Sequence, residues 1–259
     1  TIYNHDGTTC VLGIVPDQLP SMENWKLGWA HCYSLPREWS LAEDGSLIQK
    51  PFEGLKGLRG ETMFARDSFE LSGTVDLSPV SGRSVEICGT FEVGVSPFGF
   101  NVFKSSTGEG KIYYNPASGE IIADFSGVQR ISNDNGIYDG VYRCPLPMKP
   151  SDGETLKINV FIDHSILDIF VNDRWATSIR VFPTADDADG IEAYADSTVK
   201  VNELKAWTLD AANGNAVKSV WNAPTGNDNI YNLQGMKLPS EEYTSGIHIT
   251  NGRKFLIHK

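Results

Sequence analysis

Asp163, His164, Ser165 and Asp168 lie close together in the chain, and their side chains are of the types a hydrolase uses to activate a hydroxyl nucleophile. The spacing argues against that role. Neighbouring residues of an extended strand point to opposite faces, Asp-x-Ser is ordinary turn chemistry, and no G-x-S-x-G elbow accompanies it. The triplet predicts a turn. Glu38, beside Arg37 in Ser34-Leu35-Pro36-Arg37-Glu38, invites an acid/base role, but the sequence places no second carboxylate near it. That pair predicts a surface or inter-domain ion pair.

Two further groups could bind metal. Ala185-Asp186-Asp187-Ala188-Asp189-Gly190 followed by Asp196 nearly overlays a calcium loop, but Ala185 stands where the first carboxylate is needed and no flanking helices are evident. A solvated acidic loop is expected. Cys10, Cys32, Cys88 and Cys144 show no C-x-x-C spacing and no histidine at ligand distance, so a zinc site is not expected. Buried free thiols are the favoured reading, with Cys10 facing Cys32 across neighbouring strands as the alternative. No metal and no cofactor are predicted.

Flat aromatic faces suit the C–H side of a sugar ring. Trp25, Trp29, Trp39 and Trp175 are the residues that could supply them, although most tryptophans serve packing. Trp175 follows a turn and is the best placed for exposure. Trp175, Trp25 and Trp29 are the candidate carbohydrate-binding residues.

The elements that must position these groups are strands. In Ile158–Pro183, Ile158, Val160 and Ile162 alternate with Asn159 and Phe161, and Leu167, Ile169 and Val171 alternate with Asp168 and Phe170. Asp163-His164-Ser165 and Asn172-Asp173 break the pattern, and Ile179, Val181 and Phe182 close a third strand. Period-two patterning between turn residues predicts an antiparallel meander. Short apolar runs recur from residue 60 to 210, including 84–93, 100–103, 111–114, 121–125, 140–148, 191–195 and 199–209, with no 3.6-residue period. Together they predict a two-sheet antiparallel β-sandwich over residues 59–210. Trp207 is expected on the core face of its last strand.

Upstream, 9–15 and 29–35 read as strands joined by the loop 16–26, and Asp44-Gly45 as a hairpin turn within a connector at 41–58. Residues 1–40 predict the last strands of a domain whose remainder is absent. Residues 211–228, rich in Asn, Gly, Ala and Pro, read as a linker, and 229–259 as a small three-strand meander with little core.

Composition limits the partners. The chain of 259 residues carries a formal charge of −11 with 40% hydrophobic residues, which repels phosphate backbones and anionic membrane surfaces. Nucleic acid is not an expected partner. No apolar run reaches the length of a bilayer span, and no signal peptide is evident.

Three motifs carry a resemblance. Asp163-His164-Ser165, Asp168-Ile169-Phe170-Val171-Asn172-Asp173 and Thr177-Ser178-Ile179-Arg180-Val181-Phe182-Pro183 together resemble the C-terminal sandwich signature of glycoside hydrolase family 32, the β-fructosidases. Gly28-Trp29-Ala30 through Ser34-Leu35-Pro36-Arg37-Glu38 is similar to the end of that family's catalytic propeller. Tyr113-Tyr114-Asn115-Pro116 through Gly127 is similar to a tyrosine-containing hairpin of its sandwich. The resemblance implies an all-β fold of jelly-roll or concanavalin type, preceded by a propeller fragment. It also implies a parent that cleaves β-fructosyl linkages in sucrose, levan or inulin. A retaining enzyme of that kind needs two carboxylates roughly 5 Å apart. The family supplies them from N-D-P and E-C motifs, with an R-D-P motif between, and none of the three occurs here. Arg66-Asp67-Ser68 lacks the proline. The chain is therefore expected to hold no catalytic residue and to serve a structural or cleft-bordering role. Its expected partners are a missing propeller and, through it, a fructan or sucrose, with a homodimer also open. An independent lectin-like module and an oligomerisation domain are the alternatives. The segment from Tyr231-Asn232-Leu233 to Lys254 resembles sorting tails of bacterial secreted glycosidases, which implies a secreted, periplasmic or cell-surface location.

Overall fold

The computed structural model describes residues 2–3, 8–16, 19–28, 30–129, 131–133, 136–138 and 140–210, with the backbone of strand segments 230–231, 237–238, 246–250 and 253–257. Residues 1–211 form one compact unit and 212–259 another.

The first unit opens with β1 (Ile2–Tyr3), β2 (Thr9–Val11), β3 (Ile14–Val15), helix α1 (Ser21–Leu27), β4 (Cys32–Tyr33), β5 (Arg37–Leu41) and β6 (Leu47–Pro51). The strand expected at 9–15 is two strands, because β2 pairs with β5 while β3 pairs with β4 in a separate ribbon. The Ser34 hydroxyl accepts the Gly13 N–H at the break, 3.0 Å away. The loop expected at 16–26 contains α1, which stops where Gly28 takes a left-handed φ of 75°. The sheet β1-β2-β5-β6 runs through residue 40 to Pro51, with the β5–β6 hairpin turned at Asp44 and Gly45. Asp44 accepts the Ser46 N–H there, and Gly45 supplies a φ of 79°. A 3-10 turn at Glu53–Leu58 leads into the main body.

That body is built from β7 (Arg59–Ser81), β8 (Ser84–Glu92), β9 (Phe98–Lys104), β10 (Gly110–Asn115) and β11 (Glu120–Asp124). The ribbon β12 (Ile131–Asn133) and β13 (Gly136–Tyr138) follows, then β14 (Val141–Pro145), β15 (Thr155–Asp163), β16 (Ile166–Val171), β17 (Trp175–Arg180) and β18 (Gly190–Leu209). β7 and β18 pair with each other over both layers. The first part of β18 continues into β9, β10, β11 and β14, and the second part into β8, β15, β16 and β17. The crossing from one layer to the other falls at a bulge between the Ala195–Gly73 and Val199–Leu71 pairs, where Gly73 has a φ of 70°. A bulge bends a strand and increases its twist, so one long pair serves both sheets. The far edges approach each other: Tyr142 of β14 donates its hydroxyl to the Arg180 carbonyl of β17.

Alternation along each strand fills the space between the layers. Val85, Ile87 and Phe91 of β8 meet Leu156, Ile158, Val160 and Ile162 of β15 and Leu167 and Ile169 of β16 in one buried cluster. The Phe91 ring stacks on Phe98 at 4.8 Å and meets Phe100 edge-on at 5.7 Å. Gly99 lies where a Cβ would sit 2.1 Å from the Ile112 carbonyl oxygen, so the close approach of β9 to β10 requires glycine. Both turns of the predicted meander are present, with His164 at φ 53° and Asn172 and Asp173 at 52° and 49°. Trp207 departs from expectation. Leu204 and Ala206 fill the inner face of β18, so period two turns Trp207 outward, where its ring lies 3.9 Å from the Arg59 guanidinium.

The second unit contains β19 (Ile230–Tyr231), β20 (Lys237–Leu238), β21 (Gly246–Thr250) and β22 (Arg253–Ile257) in the order β20-β19-β21-β22. Four strands are present among its described residues where three were expected. The linker reading at 211–228 lies outside the described residues.

Candidate functional site

Strands β8, β15, β16 and β17 have a second face, turned away from the core, and it carries the buried polar residues Glu86, Asn159 and Asp168. Asp168 is 1% exposed. Its carboxylate accepts the Leu35 N–H at 2.9 Å and the Arg37 guanidinium at 3.0 Å, with Ser178 as a third partner. Arg37 also donates to Ser178 and faces the Phe170 ring. A charge held this far from water is stable only when paired and hydrogen-bonded. Asp168 is both.

Beside this pair, Leu55, Phe161 and Phe170 form a small apolar cluster, with Leu35, Phe52 and Leu58 packed on it. Beyond it Glu86, with no exposed surface, takes the Arg59 Nε and Nη2 groups in bidentate fashion at 2.6 and 2.7 Å. The Asn159 side-chain amide donates to the same carboxylate at 3.0 Å. Gln49 joins its backbone N–H to the Arg174 carbonyl at 2.8 Å. Residues 35–59 are thus fastened across the sheet by two buried ion pairs, an apolar patch and main-chain bonding.

Arg37 and Glu38 do not pair with each other, and the expected ion pair to the sandwich is made by Arg37 with Asp168. Adjacent residues of β5 point to opposite sides, so Arg37 reaches Asp168 while Glu38 pairs with Lys50 at 2.6 Å and accepts the Glu53 N–H at 3.0 Å. His164 sits in its turn with Nδ1 2.9 Å from Asp163, the two side chains largely exposed. In the acidic loop Asp187 accepts the Ser106 N–H, and Asp196 is bonded to the Tyr194 hydroxyl. Among the described residues, no three His, Cys, Asp or Glu side chains converge on a common point.

Cys10 is buried, while Cys32, Cys88 and Cys144 are partly buried, and all four are free thiols. Cys32 faces the Val15 carbonyl and the Arg180 guanidinium rather than Cys10. Burial pushes the Cys88 thiol up to about 11.

The candidate tryptophans are separated. Trp175 packs against the core while lining an apolar cleft with Ile121, Cys144, Leu146 and Thr177, and Arg174 faces its ring at 5.6 Å. Trp25 is 82% exposed on α1, above a shallow depression with Asn24 and His31. The two clefts share no lining residue. Trp29 lies outside the described residues. Trp39 is on β5, partly exposed.

Glu86, Asn159 and Arg59 carry the outer face and were not singled out in the sequence. The available signal was a polar residue between two core residues, Val85-Glu86-Ile87 and Ile158-Asn159-Val160. Such alternation normally marks a solvated face.

This architecture, two antiparallel layers joined by a shared bent strand pair and dressed on one outer face by an N-terminal segment, defines a β-sandwich module. A family model described as glycosyl hydrolases family 32 C terminal matches residues 55–208. The chain belongs to that family. It is 28% identical over 213 residues to a sucrose-6-phosphate hydrolase of Zymomonas mobilis, covering 76% of this chain and 37% of that protein. It is 25% identical over 218 residues to a levanase of Bacillus subtilis, covering 77% and 30% respectively. The fold is similar to that of fructan 1-exohydrolase IIa from Cichorium intybus, with a TM-score of 0.66, 18% identity and coverage of 80% and 46%. The chain spans about a third of the length of the curated relatives it matches. No helix of the described residues is long and apolar enough to cross a membrane.

Proposed function

We propose that this chain is the non-catalytic C-terminal module of a β-fructosidase acting on sucrose, levan or inulin, and that its sandwich is the platform on which the catalytic domain is held. The observation that carries the reading is the outer face. Asp168 and Glu86 are buried carboxylates that receive Arg37 of the N-terminal segment and Arg59, where that segment enters the sandwich. Breaking such a pair is costly, whereas an apolar contact would stabilise as well, so its distinctive contribution is to fix geometry. Support for the substrate class comes from the family and from relatives that are a sucrose-6-phosphate hydrolase and a levanase. The N-terminal ribbons expose Leu12, Ile14, Tyr33 and Leu41, an apolar surface suited to the rest of a propeller or to a second copy. On this reading residues 1–40 are the end of that propeller, and the resemblance of the segment from Tyr231 to Lys254 to sorting tails supports a secreted, periplasmic or cell-surface parent.

The test is direct. The chain alone should release no fructose from sucrose, inulin or levan. Turnover that follows the chain through stringent purification would overturn the reading. The second reading, an independent carbohydrate-binding module, is favoured by the exposure of Trp25. A glycan array separates them: sugar capture lost in Trp25→Ala supports the second.

A further inference from the structure

Two clefts meet at Trp175, the one residue that lines both. The smaller, of about 170 Å³, opens into the seam between the edge strands β14 and β17. Ile121, Ile169 and Val171 lie deep in it, and Pro145, Leu146 and Pro147 form its β14 side. The larger, of about 680 Å³, lies between residues 148–155 and the turn ahead of β17. Its volume is within the roughly 300–1,000 Å³ usual for small-molecule sites.

Several classes of occupant fit poorly. A peptide strand finds β17 already engaged, since Gln49 donates to the Arg174 carbonyl at 2.8 Å and Tyr142 to that of Arg180 at 3.2 Å. The facing Pro145 and Pro147 have no N–H to offer. An acyl chain would fill the apolar seam but then meet Lys149, Glu154, Asn172 and Arg174 in the larger cleft. An anion gains little, because Glu154 offsets Lys149 there and Arg174 already has Asp44 at 3.5 Å.

The polar groups of the larger cleft keep both donors and acceptors in hand. Lys149 makes a single bond of 3.4 Å to the Ala117 carbonyl, which leaves two of its protons. Glu154 takes the Ser151 N–H on Oε2 at 2.6 Å, which leaves Oε1. Asn172 is exposed and accepts the Lys157 N–H on Oδ1 at 2.7 Å, which turns its amide N–H groups outward from that bond. Beside them stands the partly exposed Trp175 ring. The Arg174 guanidinium is 5.6 Å from the ring centre, near the outer limit of about 6 Å for such a contact. Ser46 anchors it at 2.6 Å, so it does not stack closely on the ring. An aromatic face with unmatched donors and acceptors along its edge suits a sugar, whose C–H face is apolar and whose hydroxyls both donate and accept.

We infer that the paired clefts at Trp175 bind a neutral oligosaccharide of two or three rings, one ring stacked on Trp175 and its neighbour beside Lys149 and Glu154. The site lies within this chain and is separate from the depression at Trp25, with which it shares no lining residue. That the sugar is a fructan rests on the function proposed above.

The experiment uses the whole ¹⁵N-labelled chain and the Trp175 indole N–H resonance, assigned by its loss in Trp175→Leu. An inulin-type trisaccharide, a levan-type trisaccharide and maltotriose are titrated in turn. At least one should shift the resonance saturably. Trp175→Leu keeps apolar bulk against the core but removes the flat face, and affinity read from the Gly153 and Thr155 amides should fall about tenfold. Lys149→Met removes one charged donor from an exposed position and should weaken binding about fivefold. This variant serves if Trp175→Leu fails to fold. Saturation by maltotriose alone would uphold the site and count against the fructan reading, so the two can fail separately. Three results would overturn the inference: no saturable shift with any of the sugars, wild-type affinity in either folded variant, or binding lost in Trp25→Ala and kept in Trp175→Leu.

Discussion

The strands β8, β15 and β16 present two faces that are both buried, and the two are built on opposite principles. The inner one carries Val85, Ile87, Phe91, Ile158, Val160, Leu167 and Ile169, all apolar. The outer one carries Glu86, Asn159 and Asp168, each at least nine-tenths buried, around the small Phe161–Phe170 patch. Apolar burial is roughly proportional to area and indifferent to direction. It holds the layers together under many side-chain choices. A buried carboxylate accepts only a donor of the right charge at the right place. The inner face therefore supplies stability, and the outer face decides where residues 35–59 lie.

The largest test of this division is Phe91→Ala, which removes the ring stacked on Phe98. It should lower stability by about 3–5 kcal/mol in urea unfolding without changing protease cleavage in 35–59 at conditions where the chain stays folded. Selective cleavage there would break the comparison.

Next is Asp168→Ala, which leaves Arg37 facing a buried site without its carboxylate. A loss of about 3 kcal/mol is expected. The double replacement Arg37→Met with Asp168→Leu should recover most of it while leaving residues 35–59 more open to proteolysis. If the single change costs less than about 1 kcal/mol, the surface-pair value, the pair does not position the segment.

The smallest effect concerns Cys88, which lies on the outer side of β8 beside Lys157 and Glu86. Burial raises its thiol from the ordinary value of 9.0 to about 11, so the unfolded chain loses the proton first. Its contribution is complete below pH 9.0 and is lost as the pH rises towards about 11. Wild type should lose about 2 kcal/mol across that window relative to Cys88→Ala. Parallel alkaline profiles of the two chains would show that water reaches this face freely.

Much of the fold was legible from spacing. The β15-β16-β17 meander, its turn residues and the Asp44-Gly45 hairpin all followed from alternation and turn chemistry, because both are local. β7 did not show itself as a single strand. Among the described pairings β18 is its one partner, and many of its side chains are exposed, so its 23 residues lack a clean apolar alternation. The helix α1 was missed for a related reason, since seven residues give fewer than two full turns of 3.6.

The sequence by itself determined the two-sheet sandwich, the family, and the absence of N-D-P, R-D-P and E-C motifs in this chain. Tertiary structure alone decided that Arg37 answers Asp168 rather than its neighbour Glu38, that Trp207 turns to Arg59, and that Asn159 is left with an unmatched oxygen. The reason is physical. Alternation says which face a side chain takes, but the partner across that face comes from a strand or segment distant in the chain. A polar residue on an outer face reads the same whether water or another element covers it.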